Sequence, residues 1–199
     1  MGHQISNSMR SIYKFLDIDN FQEISDQMYD FVTNHSDILK PKTPTFFTDV
    51  NIAHTLTHVP LLKEFLDSQF LVPTKMSVIV VPADSAPYLH VDTVDPFVRI
   101  LWPVRNTAGS CTKFYDVPRE YLELTSFLDS VWYYNITETR EWEQLTEFEL
   151  SSPLVFDASV AHAVYPAPTA TGHRISFSVG FDRDLPISKS IKAWFGFQR

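Results

Sequence analysis

Arg174-Ile-Ser-Phe-Ser-Val-Gly-Phe181 alternates polar or small residues with large apolar ones at every step. In an extended chain, period two puts Arg174, Ser176, Ser178 and Gly180 on one face and Ile175, Phe177, Val179 and Phe181 on the other. The apolar face suits packing against helices or a second sheet. The polar face either meets solvent or lines the interior of a barrel that admits a small anion.

Similar short stretches precede it. Met76–Val81, Tyr88–Thr93, Phe97–Val104, Thr112–Tyr115, Val131–Asn135, Phe148–Leu150, Leu154–Phe156 and Ala161–Tyr165 are rich in Val, Ile, Phe and Tyr, and turn-forming residues separate many of them. The start of the chain reads differently. Phe21, Ile24, Met28, Phe31 and Val32 recur at three- and four-residue spacings, which predicts a helix. Asn20 is placed to cap it, with Glu23 three residues on in capping-box fashion. Lys40–Pro44 breaks the pattern with two prolines, a second helix is expected over Leu61–Ser68, and Ile187–Phe195 suits a short closing helix. Helices followed by many short strands predict a mainly β sandwich or small barrel with helices packed outside. The expected organisation is one domain over residues 1–199, with a helical part over 1–70 and a β core over 75–182.

Composition narrows the function. The chain has 199 residues, enough for one substantial core, and a formal net charge of −8. That charge gives a nucleic-acid partner no help. Cys111 is the single cysteine, so an intrachain disulfide is impossible and a cysteine-based zinc site would need other ligands. A reducing, cytoplasmic setting is the expectation. Residues 1–11 are polar, unlike a signal peptide, and the apolar run at Val78–Val81 is too short to span a bilayer, so no membrane partner is expected.

His90-Val-Asp92 sets an imidazole and a carboxylate on one face of an extended strand. With seven histidines in the chain, such a pair arises easily by chance, so its spacing alone carries little. His162 adds a third donor, after the apolar Pro153-Leu-Val-Phe-Asp-Ala158 and before a turn containing Pro166, Pro168 and Gly172. Two histidines and one carboxylate leave three adjacent octahedral positions open, as Fe(II) oxygen chemistry requires. Arg174 follows His162 by twelve residues, and its planar fork is the natural partner of a carboxylate. Ser176 shares its strand face and offers another hydrogen bond.

This order of residues resembles the Fe(II)/2-oxoglutarate-dependent dioxygenase superfamily over roughly residues 75–182. The resemblance implies a double-stranded β-helix, a cupin-like jelly roll. It implies Fe(II) held by His90, Asp92 and His162, and 2-oxoglutarate as co-substrate with its far carboxylate on Arg174 and Ser176. Hydroxylation with release of succinate and CO2 is the default outcome, and demethylation, desaturation and ring closure belong to the same chemistry. A narrower resemblance is to the aspartyl/asparaginyl β-hydroxylase-like branch, where an arginine nine residues after the first iron-binding histidine lies near the co-substrate. Arg99 has that spacing from His90, but typical members of that branch lack the carboxylate ligand that Asp92 supplies. Arg99 equally suits an ion pair with Asp95 or another acid. Tyr88 shares the expected strand face of His90 and Asp92, and either touches the co-substrate or packs.

The remaining candidates have plainer readings. His54 and His58 are four apart, but no Glu follows His54 as in a zinc-protease motif, so a surface or substrate-loop role is preferred to a zinc site. Asp95, beside Pro96, belongs to a turn, and His173 faces away from Arg174. Trp102, Cys111 and Trp132-Tyr-Tyr134 read as packing residues. The expected partners are molecular oxygen and a small-molecule or amino-acid-like substrate, contacted by the first 70 residues and the insertion Asp116–Ser130. Two rivals remain: a cupin-like metal enzyme without 2-oxoglutarate, and a barrel kept as a binding module without chemistry.

Overall fold

The computed structural model describes residues 11–39, 46–92, 98–127, 131–138, 140–182 and 185. Twelve strands among them form two six-stranded antiparallel sheets. In chain order the elements are β1 (Tyr13–Phe15), α1 (Phe21–Asn34), β2 (Phe46–Asp49), α2 (Ile52–His58), α3 (Pro60–Ser68), β3 (Pro73–Val81), β4 (His90–Asp92) and β5 (Val98–Arg105). They continue with β6 (Cys111–Asp116), β7 (Leu122–Phe127), β8 (Val131–Ile136), β9 (Glu143–Glu149), β10 (Leu154–Asp157), β11 (Ala161–Tyr165) and β12 (Arg174–Phe181).

One sheet runs β1-β10-β5-β12-β3-β2 and the other β7-β8-β4-β11-β6-β9. Following β3, β4, β5 and β6, then β9, β10, β11 and β12, the chain passes back and forth between the sheets, the winding of a double-stranded β-helix. The β7–β8 hairpin is inserted into that winding and extends the second sheet beside β4.

The alternation of β12 is realised directly. Ile175, Phe177, Val179 and Phe181 join Val78, Val80, Ile100 and Trp102 in a core closed by α1 and α3 through Ile24, Met28, Phe31, Leu62 and Leu66. Fully buried Trp102 still has its indole N–H satisfied, donating to Ser25 Oγ at 3.0 Å. A second core lies between the sheets, where Leu101, Leu154 and Phe156 of the first meet Phe114 and Phe148 of the second. Arg174, Ser176 and Ser178 face that interior and are buried, so the polar face of β12 lines the barrel and does not meet solvent.

Several expectations need correction. Asn20 occupies the N-cap of α1 but its side chain makes no capping bond, its backbone lying outside the extended geometry a cap uses. The first part of the chain is not purely helical, since β1 pairs with β10 and β2 with β3. β9 starts at Glu143, well before Phe148; its exposed glutamates and Gln144 conceal an edge strand whose outer face meets water. The strand expected from Tyr88 begins only at His90. Lys40–Pro44, Thr93–Phe97 with Asp95 and Pro96, Ile187–Phe195 and residues 1–10 lie outside the described residues. Among the described residues, no helix is long and apolar enough to cross a membrane.

Candidate metal and co-substrate site

β4 and β11 are neighbours in the second sheet, and His90 is directly opposite His162. The pairing brings the rings to 4.5 Å between centroids, and one ligand atom each from His90, Asp92 and His162 lies within 4.8 Å of the others. His90 Nε2 is 3.6 Å from Asp92 Oδ1. Ligands about 2.1 Å from one ion sit about 3 Å apart on an octahedral face, so the set needs little closure to share an ion.

The histidines are oriented for it. Nδ1 of His90 lies 3.0 Å from the Tyr88 carbonyl, and Nδ1 of His162 lies 2.8 Å from the Val160 carbonyl. A carbonyl only accepts, so each Nδ1 carries the hydrogen and each Nε2 keeps a lone pair for a metal, the outer support typical of metal-binding imidazoles. Burial, then the neighbouring His90, pushes the His162 pKa down to about 4, so this ring is neutral at physiological pH. Burial pushes the Asp92 carboxyl up, but His162, Arg99 and His90 outweigh it and hold its pKa below the ordinary value.

Arg99 reaches from the first sheet to Asp92 in the second, with Nη1 3.4 Å from Oδ2. Among the described residues its acid partner is therefore Asp92, while Asp95 lies outside them. One carboxylate oxygen is held by the guanidinium and the other faces His90. Arg99 and Arg174 stand at opposite ends of the β5–β12 pairing, where Ile100 meets Val179 and Arg105 meets Ile175. Their backbones are separated by about 20 Å of strand, at 3.4 Å per residue. Replacing Arg99 with Ala is expected to weaken Fe(II) binding roughly 10- to 100-fold by freeing the Asp92 carboxylate. Its effect on 2-oxoglutarate affinity at saturating metal is expected to be small. Separate titrations with metal and co-substrate check this, and a loss confined to 2-oxoglutarate would move Arg99 to the co-substrate.

Arg174 is buried, and its Nη1 donates to Ser176 Oγ at 3.4 Å, so the side chain runs along the strand from its own position. Its Nε has no hydrogen-bond partner, and no ion pair to it is found among the described residues. Burial lowers its pKa only to about 10, so it remains a cation at neutral pH. Thr112 Oγ1 is likewise buried without a partner. Thr112 lies two residues from Phe114 and so faces the same interior. A buried cation with a free donor is costly unless an anion completes it. A dicarboxylate anchored here fits that requirement.

Tyr88, just before β4 and 44% exposed, stacks on His90 at 5.7 Å and donates to Asn135 Oδ1 at 3.0 Å. In the sequence alone Tyr133 reads as a packing residue and Asn135 carries no functional signal. The β4–β8 register sets Tyr133 opposite Asp92 and Asn135 opposite His90, and the Tyr133 ring lies 5.6 Å from Tyr88 and 6.3 Å from His90. Phe114 and Phe156 each pack against His162 at 5.7 Å. His173 is exposed and does not join this ligand set, its carbonyl accepting from Asn106.

No family model matches the chain, and no curated protein does. Among solved structures it is similar to the epimerase SnoN in complex with Fe3+, alpha ketoglutarate and nogalamycin RO, at 13% identity and TM-score 0.47, covering 91% of this chain and 88% of that one. HygX from Streptomyces hygroscopicus, with nickel and 2-oxoglutarate bound, shares 12% identity at TM-score 0.48, covering 87% and 83%. A Pseudomonas putida prolyl-4-hydroxylase shares 13% identity at TM-score 0.41, covering 88% and 94%.

Proposed function

We propose that this protein is an Fe(II)- and 2-oxoglutarate-dependent oxygenase acting on a small-molecule or amino-acid-like substrate. His90, Asp92 and His162 hold the metal, and Arg174 with Ser176 takes the far carboxylate of 2-oxoglutarate. The observation that carries this reading is the combination of a two-histidine, one-carboxylate cluster with a buried arginine whose Nε has no partner, both in the space between the sheets. A cupin-like enzyme working on the metal alone leaves that arginine without a purpose.

Bound here, iron and 2-oxoglutarate supply the activation of O2. The balance is one 2-oxoglutarate, one O2 and one substrate C–H giving succinate, CO2 and an alcohol. The residues of the chain do the rest. The carbonyls of Tyr88 and Val160 fix the imidazole tautomers, Arg99 turns Asp92 so that one oxygen faces His90, and the Phe114 and Phe156 rings exclude water from His162. Tyr88 and Tyr133, the latter on β8 beside β4, border the exposed side of the metal set, and the substrate is proposed to lie there. The single cysteine suits a cytoplasmic setting.

Purified protein is expected to bind one Fe(II) per chain and, under anaerobic conditions with 2-oxoglutarate, to develop a weak visible charge-transfer band. Aerobic consumption of 2-oxoglutarate, followed as succinate, is expected to require that metal. Full activity in a rigorously metal-free preparation would overturn the assignment.

A further inference from the structure

On the other side of the first sheet from Arg174, three imidazoles gather over one phenyl ring. His35 is the C-cap residue of α1, while α2 presents His54 and His58 one turn apart on the same face. Phe31, whose ring meets Phe177 of β12 at 6.4 Å, lies 4.6 Å from His35, 5.8 Å from His54 and 5.9 Å from His58. The imidazole centroids are 4.9 Å apart for His35 and His54, 5.5 Å for His35 and His58, and 4.3 Å for His54 and His58. One ligand nitrogen from each falls within 4.8 Å of the other two, and the Nε2 atoms of His35 and His54 are 2.9 Å apart.

Two of the three rings are held in a ligating tautomer. His35 Nδ1 lies 2.7 Å from the Phe31 carbonyl, and His58 Nδ1 lies 2.9 Å from the His54 carbonyl. Each Nδ1 is therefore the donor, and each Nε2 keeps its lone pair. A hydrogen bond between neutral rings accounts for His35 and His54 alone. It does not account for His58, which also brings a ring nitrogen within 4.8 Å of ligand nitrogens of the other two. Nitrogens bound to one ion at about 2.0–2.1 Å are separated by about 2.9 Å at right angles and about 3.3 Å in a tetrahedron, so the rings stand close to a shared-ion arrangement.

We infer that His35, His54 and His58 form a second metal site, separate from the His90, Asp92 and His162 set, that takes a divalent transition cation such as Zn2+ and fastens the end of α1 to α2. Three neutral imidazoles without a carboxylate select zinc, copper or nickel over magnesium and calcium. His54 and His58 are exposed, so water completes the coordination sphere.

Zinc content after equilibration with micromolar free Zn2+ and gel filtration tests this, in a His90→Ala/His162→Ala chain where only the proposed site can be counted. One zinc per chain is expected, falling to none when His54→Ala and His58→Ala are added. His35→Ala is expected to weaken zinc binding at least tenfold. Zn2+ is expected to raise the thermal midpoint only while all three histidines are present, and Mg2+ to leave it unchanged. If the doubly substituted background does not fold, the loss of one zinc between the wild-type chain and His54→Ala/His58→Ala gives the same reading. Equal zinc content with and without these three side chains overturns the proposal.

Discussion

Arg174→Ala is expected to weaken 2-oxoglutarate binding by roughly 30- to several-thousand-fold while Fe(II) binding stays nearly normal. The guanidinium is buried, charged at neutral pH and paired only with Ser176 Oγ among the described residues. Losing one partner of a charge pair screened from water costs on the order of 2–5 kcal/mol, which is that range of affinity. Arg174→Lys should recover part of the loss, since lysine keeps the charge but not the two-pronged geometry. A purely structural arginine makes a different forecast for stability. An unpaired buried charge burdens the protein without its co-substrate, so Arg174→Met should leave the co-substrate-free thermal midpoint unchanged or higher. Added 2-oxoglutarate should raise the midpoint of the wild type and not of Arg174→Met. Unchanged 2-oxoglutarate dependence in Arg174→Ala, with a large loss in Arg99→Ala, would reverse the two assignments.

What could be read from the sequence follows what is local in the chain. The two faces of β12 are written in eight consecutive residues, but the alternation leaves both solvent and barrel interior open to the polar face, whose burial is set by the facing sheet. His90 and Asp92 share a face for the same reason. The pairs that give the site its character are set by register between distant strands. Nothing near Arg99 points to Asp92, because that contact needs the two sheets to face each other. Tyr133 and Asn135 become neighbours of the metal set only through the pairing of β8 with β4. A short inserted hairpin gave no clue to that register. The same limit hid His35: the i, i+4 pair of His54 and His58 was visible, but the third ring arrives from another helix. β1 and β2, with three and four residues, are too short for a periodic signal and owe their existence to the sheet edges they cover.

Removing any one of His90, Asp92 or His162 is expected to abolish turnover and to weaken Fe(II) binding at least 100-fold, with the β fold retained. Even outer supports of a metal typically contribute 10- to 100-fold, and an incomplete ligand set loses geometry as well as affinity. The three variants should differ in stability. His162 is buried between Phe114 and Phe156, so His162→Ala leaves a cavity costing about 1–3 kcal/mol, whereas His90 and Asp92 are half-buried at the rim. His162 also gives the metal-free protein a pH signature. Its folded pKa of about 4 lies below the ordinary value of 6.5, so the unfolded chain takes up the proton first. Stability contributed at this position therefore falls as pH drops from about 6.5 towards 4, and no further below that. In His162→Ala that component of the acid dependence should vanish, measured as the thermal midpoint across the window. Iron content, succinate release and thermal midpoints on the same preparations separate the roles. Normal iron binding by all three variants would remove the metal site, and iron lost on changing His54 or His58 but not His90 would relocate it.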